Sequence, residues 1–405
     1  MKKKDILYVI ENECYGGGER AFAQLINGLN KETYAVHTAC LPGSAGAASE
    51  RFTEEIARSC ELIPFDIRSL VTPLNVLRLA AIIRKKGIDL VHSQGSRANF
   101  YARAAARLAG GAAVVSTIAA PVEEYNIGAL KKAVYLAFDR FGEVRVDKFI
   151  AVAGHIERKL LRYRAIPPQK VARIYNGIES EKYVCAPADA ARLRAELKID
   201  KDVFLAGAFC RLSWEKGLSF LIGAARKLKD SGSKAAAVKY LIAGEGELER
   251  SLKAEVKCSG LEDNFIFTGF MKDIRPALGA VDVMLLPSLR EGFPMSVLEA
   301  MTMGKPVLAS NIEGVDESVA DGVSGLLVPA GDSGALAAAI TALFSDRERC
   351  REMGARGRDI AVVNFGLEKM IEAHERVYEG LLSRRSAKEI TLNSVVGPQE
   401  MRKEE

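Results

Sequence analysis

The sequence predicts an α/β protein with two domains, each built around a parallel sheet. Its 405 residues, 48% of them hydrophobic, are enough for two domains with cores of their own. Short apolar runs of β type alternate with helical stretches through both halves of the chain. This alternation is typical of parallel sheets whose strands are joined by helices, so each half predicts one Rossmann-like domain.

The predicted strands are short apolar runs between polar or glycine-containing segments. In the first half they cover residues 6–10, 35–41, 62–64, 90–92, 114–118 and 149–152. In the second half they cover residues 204–209, 240–243, 265–267, 283–286, 307–309 and 325–328. Two late helices are predicted over residues 341–358 and 367–382, the second from its apolar spacing.

The predicted join between the domains lies near Asn176-Gly177, because Asn-Gly is a turn signal. The sequence therefore predicts a first domain over residues 1–178 and a second domain over residues 179–383. Residues 384–405 are polar and lack apolar periodicity, so they are predicted to form a frayed tail.

Cysteine usage and hydropathy favour a cytoplasmic protein. The seven cysteines are odd in number and form no C-x-x-C pair, which argues against a disulfide scaffold or a zinc site. They are Cys14, Cys40, Cys60, Cys185, Cys210, Cys258 and Cys350. No apolar stretch approaches the ~18 residues of a membrane span. The run at 6–10 is too short for the core of a signal peptide.

The positive charge is concentrated in the first half of the chain. Residues 1–180 hold 26 Lys and Arg against 18 Asp and Glu, a net +8, whereas the whole chain carries +5. A basic surface favours an acidic acceptor or peripheral contact with an anionic membrane, and the alternative is a solvated basic face. No nucleic-acid-binding motif is present, so nucleic acid is not a predicted partner.

Glu291 and Glu299 form the most informative pair of candidate site residues. They lie between two apolar runs, in a segment that reads as strand, loop, short helix, glycine and strand. Pro294 suits a first helical turn, which predicts a helix over 294–303 with Glu291 before it and Glu299 about one turn in. The N–H groups at such a helix mouth favour an anion such as a phosphate. Carboxylates on both sides of a phosphate suit a nucleotide-sugar. The alternative is an exposed loop acid and an acid that favours the helix dipole.

A glycine-rich turn follows the first predicted strand, in Gly16-Gly17-Gly18-Glu19-Arg20. Such a turn lets a ligand approach the backbone and exposes helix N–H groups. Its spacing fits the fingerprint G-x-G-x-x-A, but no acid ends the second strand, which disfavours NAD(P). A purely structural tight turn is the alternative.

Two cations follow the first strand of the second domain. Arg211 and Lys216 share one loop, where together they can neutralise a leaving diphosphate, the alternative being two solvated surface cations. Three further residues, Gly269, Phe270 and Met271, follow another strand at the same edge of the sheet, where open α/β sheets bind ligands. His92 ends the fourth strand, and a lone histidine there is more often a structural hydrogen-bonding group than a catalyst.

These segments resemble the retaining glycosyltransferases of family 4, which have the GT-B fold. The resemblance covers roughly residues 5–382, and its most specific part is 287–309 with Glu-Gly-Phe-Pro-Met-Ser at 291–296. It implies two Rossmann-like domains that face each other across a cleft, with the active site in that cleft and a last helix that crosses back to the first domain. It also implies transfer of a sugar from a nucleoside-diphosphate sugar to an acceptor hydroxyl, and the basic first half favours a glycan or lipid-linked acceptor.

The resemblance assigns roles to the candidate residues. Arg211, Lys216 and the helix mouth would stabilise the leaving diphosphate in place of a metal. Glu299 would bind ribose hydroxyls, and Glu291 would bind sugar hydroxyls. Substrate contacts are further implied at Gly17, Gly18, His92, Gly269, Phe270, Met271, Gly292, Phe293, Pro294, Met295 and Ser296. No metal and no cofactor are expected, since the nucleotide-sugar is a substrate.

Three departures from the family pattern keep other functions open. Cys210 stands where glycine is usual, Gln94 replaces the second histidine of His-x-His, and no histidine lies near Ala119. The alternatives are another GT-B enzyme, such as a nucleotide-sugar epimerase or a phosphorylase, and a non-catalytic nucleotide-sugar-binding protein.

Overall fold

The computed structural model of the protein describes residues 2–13, 15–68, 72–120, 123 and 128–395. These residues form two compact units. The first unit comprises Met1–Ala151, Leu160–Ile174 and Ile371–Glu405, and the second comprises Val152–Lys159 and Tyr175–Met370. Each unit contains one sheet, and every strand pair in both sheets is parallel.

The sheet of the first unit has seven strands among the described residues. They are β1 (Lys4–Ile10), β2 (Tyr34–Cys40), β3 (Glu61–Pro64), β4 (Leu90–Gln94), β5 (Ala113–Ile118), β6 (Lys148–Ala151) and β7 (Val171–Arg173). The helices along this part of the chain are α1 (Gly17–Gly28), α2 (Ala47–Ile56), α3 (Pro73–Lys86), α4 (Ser96–Ala109), α5 (Ala129–Arg140) and α6 (Gly154–Arg162).

The sheet of the second unit has six strands. They are β8 (Leu205–Phe209), β9 (Lys239–Ala243), β10 (Phe265–Gly269), β11 (Val283–Leu286), β12 (Val307–Ser310) and β13 (Gly325–Val328). The helices are α7 (Pro187–Glu196), α8 (Leu218–Asp230), α9 (Glu249–Cys258), α10 (Arg275–Ala280), α11 (Met295–Thr302), α12 (Ser333–Ser345) and α13 (Arg347–Phe365), followed by α14 (Leu367–Val395).

Both sheets are doubly wound and reverse direction at an internal point. The strand order is β3-β2-β1-β4-β5-β6-β7 in the first sheet and β10-β9-β8-β11-β12-β13 in the second. The chain therefore leaves in opposite directions from β1 and β4, and from β8 and β11. Open α/β sheets bind ligands beyond the carboxyl ends of the strands at such a switch point.

Burial on both faces explains why the strands read as continuous apolar runs. All five residues of β8 are buried, as are all four of β11 and all four of β12. One cluster of buried side chains lies between the second sheet and α8, α9 and α12, and another lies between the sheet and α10, α11 and α13. Helices on both faces are what an all-parallel sheet requires.

The element predictions differ from the structure in three places. The predicted helix over 341–358 is two helices that meet at Asp346, whose side chain accepts a hydrogen bond from the Arg349 N–H and so begins α13. The tail predicted from residue 384 is helical to Val395, within α14. Strand β7 was not predicted, because its three residues follow two prolines and carry too little apolar pattern.

The predicted domain boundary also differs from the one in the structure. The chain enters the second unit for Val152–Lys159 and again at Tyr175, four residues before the predicted boundary, and residues from Ile371 onward belong with the first unit. A single boundary in the sequence cannot describe a unit that takes its last helix from the end of the chain.

His92 is part of a buried hydrogen-bond network in the first unit. Its Nδ1 contacts the Tyr378 hydroxyl at 2.6 Å and its Nε2 contacts Thr117 Oγ1 at 2.7 Å. The Tyr378 hydroxyl also lies 2.9 Å from the Tyr8 hydroxyl. Burial, with His374 nearby, holds the pKa of His92 well below 6.5. Its ring is fully buried and both of its nitrogens contact protein groups, and the substrate contact implied for His92 stays a prediction.

We expect Tyr378→Phe to lower the free energy of unfolding by about 1–3 kcal/mol, because the hydroxyl that His92 and Tyr8 contact is removed from a buried network. Chemical denaturation followed by circular dichroism measures the change. Tyr163→Phe is the matched control, since Tyr163 is 76% exposed, and it should leave the unfolding energy unchanged. Equal stability of Tyr378→Phe and wild type would contradict the network.

The depressed pKa of His92 also predicts a pH dependence. Neutral His92 is retained in the folded protein while the unfolded chain takes up a proton below pH 6.5, the ordinary pKa. Its contribution to stability is complete above that pH and is lost as the pH falls, by up to about 1.4 kcal/mol per pH unit. In urea unfolding between pH 7.5 and 5, the free energy of unfolding should fall less steeply with pH in His92→Gln than in wild type. Identical slopes would contradict this prediction.

Candidate nucleotide-sugar site

The loops after β8 and β11 meet at the switch point of the second sheet. Lys216 comes from the first loop and Glu291 from the second, and Lys216 Nζ lies 2.7 Å from Glu291 Oε1. The Ser288 hydroxyl donates a second hydrogen bond to the same oxygen, at 2.7 Å. The sequence places these residues 75 positions apart, and the parallel pairing of β8 with β11 brings them together.

The ion pair keeps Lys216 charged. Burial alone would lower the pKa of this ammonium, but Glu291 and the neighbouring groups Cys210 and Glu215 outweigh burial, and the pKa lies above 10.5. The side chains are 18% exposed for Lys216 and 8% for Glu291, so solvent screens the pair only weakly. The site therefore holds a fixed positive charge and a fixed carboxylate side by side.

Backbone contacts lock the two loops together. The Leu289 N–H donates to the Glu215 carbonyl at 2.8 Å. Gly217 has φ +63°, and a Cβ at this position would lie 2.0 Å from the Pro287 carbonyl oxygen. Only glycine permits this approach, because a side chain would collide with a backbone atom that cannot move aside.

Arg211 is placed on the same loop but points to a different partner. Its guanidinium donates to Glu215 at 2.9 Å, and its side chain is 58% exposed. Burial opposes ionisation of Glu215, but hydrogen bonds from its own backbone and from Arg211 hold its pKa below the ordinary value. Arg211 thus lies at the edge of the site, within reach of solvent, whereas Lys216 lies inside it.

Helix α11 begins directly after the Glu291 loop. Pro294 precedes the helix with φ −77° and ψ 114°, and no side chain caps the helix there. Pro294 is therefore the N-cap residue, and the helix begins at Met295, one residue later than predicted, because the extended ψ of Pro294 is not helical. Met295 and Ser296 form the first turn, and Gly292 and Phe293 lead into it.

The Phe293 side chain, directly before the start of α11, is packed into an aromatic cluster. It is 5% exposed and packs against Tyr175 and Phe365, with ring centroids 4.9 and 5.3 Å away. Its carbonyl accepts a hydrogen bond from the Asn176 side chain at 3.2 Å. Any contact that Phe293 makes with a ligand is therefore through its backbone, since its ring is part of an aromatic cluster.

Glu299 is buried one turn into α11. It is 3% exposed, and its Oε1 accepts a hydrogen bond from the Tyr183 hydroxyl at 2.8 Å. This contact fixes the carboxylate in one orientation. Neither Tyr183 nor Ser288 was predicted as a site residue: Tyr183 lies in no recognisable motif, and Ser288, although within 287–309, matches none of the residues that the motif singles out. Ser288 stands three residues before Glu291, which is the one signal that could have identified it.

Other helix mouths already hold a carboxylate. The Arg97 and Ala98 N–H groups at the start of α4 donate to Glu11. The Gly154 and His155 N–H groups at the start of α6 donate to Glu317. A helix mouth favours one anion, so an external phosphate is disfavoured at both. In the described residues α11 has no such internal anion.

The glycine turn of the first unit lies at the switch point of the first sheet. Gly17 and Gly18 open α1, and a Cβ on Gly18 would lie 3.3 Å from Gln94 Nε2 at the end of β4. Glu19 accepts a hydrogen bond from the Gly16 N–H at 2.9 Å, which closes the start of the helix. The predicted contacts of Gly17 and Gly18 with a ligand stay predictions.

The predicted base-binding loop follows β10. Gly269 ends the strand with φ +70°, Phe270 is 55% exposed, and Met271 packs partly against the buried cluster under α10 and α11. The Phe270 N–H donates to Glu245 at 3.2 Å, which joins this loop to the one after β9. Of the three residues, Phe270 presents the largest accessible apolar surface.

Neither a metal-binding group nor a membrane-spanning helix is present among the described residues. No group of three or more His, Cys, Asp and Glu residues is arranged to hold a metal ion. None of the described helices is both long and apolar enough to cross a membrane.

Comparison with known proteins places both halves of the chain in one family. Residues 15–182 match the family model for Glycosyltransferase Family 4, and residues 189–360 match the model for Glycosyl transferases group 1. The putative glycosyltransferase EpsD of Bacillus subtilis is 29% identical over 82% of this chain and 85% of its own length.

Two further similarities extend over most of the chain. The Escherichia coli UDP-Gal:alpha-D-GlcNAc-diphosphoundecaprenol alpha-1,3-galactosyltransferase is 27% identical over 81% of this chain and 82% of its own. The crystal structure of Anabaena HepE in complex with UDP and glucose superposes with a TM-score of 0.79 at 22% identity, over 93% of this chain and all of that one.

The similarity in sequence covers the loops that carry Lys216 and Glu291 and the helix that carries Glu299, and the similarity in structure covers both sheets. The chain is a member of the family 4, group 1 glycosyltransferases, and its two parallel-sheet α/β units have the GT-B fold.

Proposed function

We propose that this glycosyltransferase moves a sugar from a UDP-sugar to an acceptor hydroxyl, with retention of anomeric configuration and without a metal ion. The observation that carries the proposal is the Lys216–Glu291 ion pair at the switch point, in the loop that leads to the uncapped mouth of α11. The choice of UDP is supported by the UDP in HepE and by the UDP-Gal in the name of the Escherichia coli relative.

The diphosphate of the donor would bind at the α11 mouth, where N–H groups and the Lys216 ammonium attract it. Charge builds up on this diphosphate as the bond to the sugar breaks, so a fixed cation stabilises the transition state more than the ground state. Arg211, at the exposed edge, adds a second cation. These groups supply the positive charge that a metal ion provides in other transferases.

Glu291 is poorly suited to act as a nucleophile. Its Oε1 is held by both an ammonium and a hydroxyl, which lowers the reactivity of the carboxylate. We infer that no glycosyl-enzyme forms. The acceptor oxygen bonds to the anomeric carbon on the face that the diphosphate leaves, and the departing phosphate oxygen takes the acceptor proton. Glu291 instead binds sugar hydroxyls.

The acceptor we propose is a lipid-linked or cell-envelope glycan, met by a cytoplasmic protein at the inner membrane face. The name of the Escherichia coli relative states a diphosphoundecaprenol-linked acceptor. The net +8 of residues 1–180 is suited to an anionic membrane surface and to a diphosphate-bearing lipid.

The experiment that tests the proposal is transfer from UDP-sugars to a panel of diphosphate-lipid acceptors, in the presence of EDTA, with the anomeric configuration of the product read by NMR. We expect the product to retain the anomeric configuration of the donor and the transfer rate to be undiminished by EDTA. Inversion or loss of activity in EDTA would contradict the mechanism. Turnover without an acceptor would indicate an epimerase, a requirement for inorganic phosphate would indicate a phosphorylase, and UDP binding without transfer would indicate a non-catalytic protein.

Glu299→Ala is expected to weaken UDP binding by about 1–3 kcal/mol, because the hydrogen bonds of the carboxylate to the ribose hydroxyls are lost. Isothermal titration calorimetry measures the change. Glu262→Ala is the control, since Glu262 is exposed and precedes β10, at the opposite edge of the sheet. Unchanged UDP affinity in a folded Glu299→Ala protein would contradict the proposed contact between Glu299 and the ribose hydroxyls.

Lys216→Met is expected to reduce kcat by about 10²–10³, as for loss of one group that stabilises transition-state charge. The exposed Arg211→Met should reduce it less, because solvent screens the charge of Arg211. Steady-state kinetics with saturating donor distinguish the two. An equal effect of both substitutions would contradict the different placements of the two cations. An unchanged rate in Lys216→Met would contradict the role of the ion pair.

A further inference from the structure

The loop after β12 carries a carboxylate that three hydrogen-bond donors hold in place. Glu317 Oε2 accepts from the Gly154 N–H at 2.7 Å and from the Tyr175 hydroxyl at 2.8 Å, and Oε1 accepts from the His155 N–H at 3.1 Å. All four residues belong to the second unit. Burial opposes ionisation of Glu317, but these hydrogen bonds hold its pKa below the ordinary value. Donors from two separate segments of the chain therefore fix the orientation of this carboxylate.

One of these donors also supports the mouth of α11. The Tyr175 ring packs against the ring of Phe293, with centroids 4.9 Å apart, and Phe293 stands two residues before α11 begins. The next residue, Asn176, donates through its side chain to the Phe293 carbonyl at 3.2 Å. A shift of Tyr175 would disturb both contacts, because Tyr175 and Asn176 are consecutive in the chain. Glu317, which holds the Tyr175 hydroxyl, therefore fixes one side of the mouth.

The loop that carries Glu317 also touches the segment before α11 directly. Gly314 has φ +86°, and a Cβ at this position would lie 2.0 Å from the Gly292 carbonyl oxygen and 3.1 Å from His155 Cε1. Only glycine permits such a close approach to a backbone atom. The Gly314 N–H donates to the Asp316 side chain at 3.1 Å, within the turn that leads to Glu317. Glu317 is thus three residues away from a second contact with the segment that leads into α11.

A second carboxylate of the same loop lacks these connections. Glu313 lies 3.3 Å from the Arg158 guanidinium and 3.3 Å from the Lys159 ammonium, so it also pairs with α6. Its side chain is 54% exposed, and ion pairs at such positions contribute little. Among the contacts of the described residues, none joins the Glu313 side chain to the segment before α11. Glu313 therefore shares its loop, its charge and its partner helix with Glu317, but not the link to the α11 mouth.

We propose that Glu317 is a positioning residue for donor binding, which holds Gly292, Phe293 and the first N–H groups of α11 in the arrangement that receives the diphosphate. It acts at two points, through Gly314 on one side and through the Tyr175 ring on the other, and touches no substrate itself. The N–H groups of a helix mouth bind an anion by converging on it, so a small displacement of the backbone weakens the site. The inference rests on the diphosphate position proposed above.

The first test compares the affinities of the full chain for UDP and for uridine, which lacks the diphosphate, by isothermal titration calorimetry. Glu317→Gln keeps the size of the side chain but turns an NH2 group toward an N–H donor. Its UDP affinity should fall about tenfold, while its uridine affinity should stay that of wild type, because only the diphosphate binds at the mouth. Tyr175→Phe removes a single hydroxyl and should lower UDP affinity about threefold. The two losses should not add in the double variant, because both variants break the same contact.

Hydrogen exchange of the free protein gives a second measurement that needs no ligand. The peptide over residues 290–303 should exchange about tenfold faster in Glu317→Gln than in wild type, because the start of α11 opens more readily. Peptides from α8 should exchange as in wild type. The matched control is Glu313→Gln, which should leave both the UDP affinity and the exchange of residues 290–303 unchanged. Tyr175→Phe tests the same link if Glu317→Gln folds poorly.

Three outcomes would overturn the inference: wild-type UDP affinity in Glu317→Gln, an equal loss of uridine affinity, or the same losses in Glu313→Gln. Unchanged exchange of residues 290–303 would also overturn it, and would leave the proposed function standing. A wild-type protein that binds UDP no better than uridine would instead contradict the diphosphate position of the proposed function, and with it the role of Glu317 in donor binding.

Discussion

The candidate site depends on the contact between the two loops that leave the switch point of the second sheet. The Lys216–Glu291 pair is held by backbone as well as by charge, since Leu289 donates to Glu215 and Gly217 lies against Pro287. The parallel pairing of β8 and β11 sets the positions of both loops. An ammonium fixed in this way needs little reorganisation when negative charge develops beside it, and this is where electrostatic catalysis gains most of its effect.

The distribution of capping groups explains why this edge of the second sheet favours an external anion. Glu11 and Glu317 occupy the starts of α4 and α6, so the N–H groups there already have an anionic partner. The start of α11 follows a proline, which has no N–H and carries no capping side chain. A phosphate gains the N–H groups of α11 without displacing a carboxylate, whereas at α4 or α6 it would have to compete with one.

The strands can be predicted from the sequence more completely than the side-chain contacts can. Twelve of the thirteen strands follow from apolar runs, because both faces of a parallel sheet are buried. Strand β7 and the break at Asp346 depend on a three-residue pairing and on a single cap, which leave little trace in periodicity. The positions of Glu291 and Glu299 follow from local spacing. Tyr183, whose hydroxyl orients Glu299 from 116 residues away, depends on tertiary packing that spacing alone does not carry.

Helix α5 is a second case in which tertiary contacts, and not sequence spacing, decide the structure. Apolar spacing alone does not decide which side of this helix faces the protein, and the usual rule would turn Leu130 and Val134 inward. The rule fails because the buried Arg164 guanidinium has three carboxylates around it. Separating it from them inside the protein would leave buried charges without partners, which is costly in free energy. Burying Leu130 instead would move Asp139 away from Arg164. The charge cluster therefore favours the orientation of the helix in which Leu130 and Val134 face solvent.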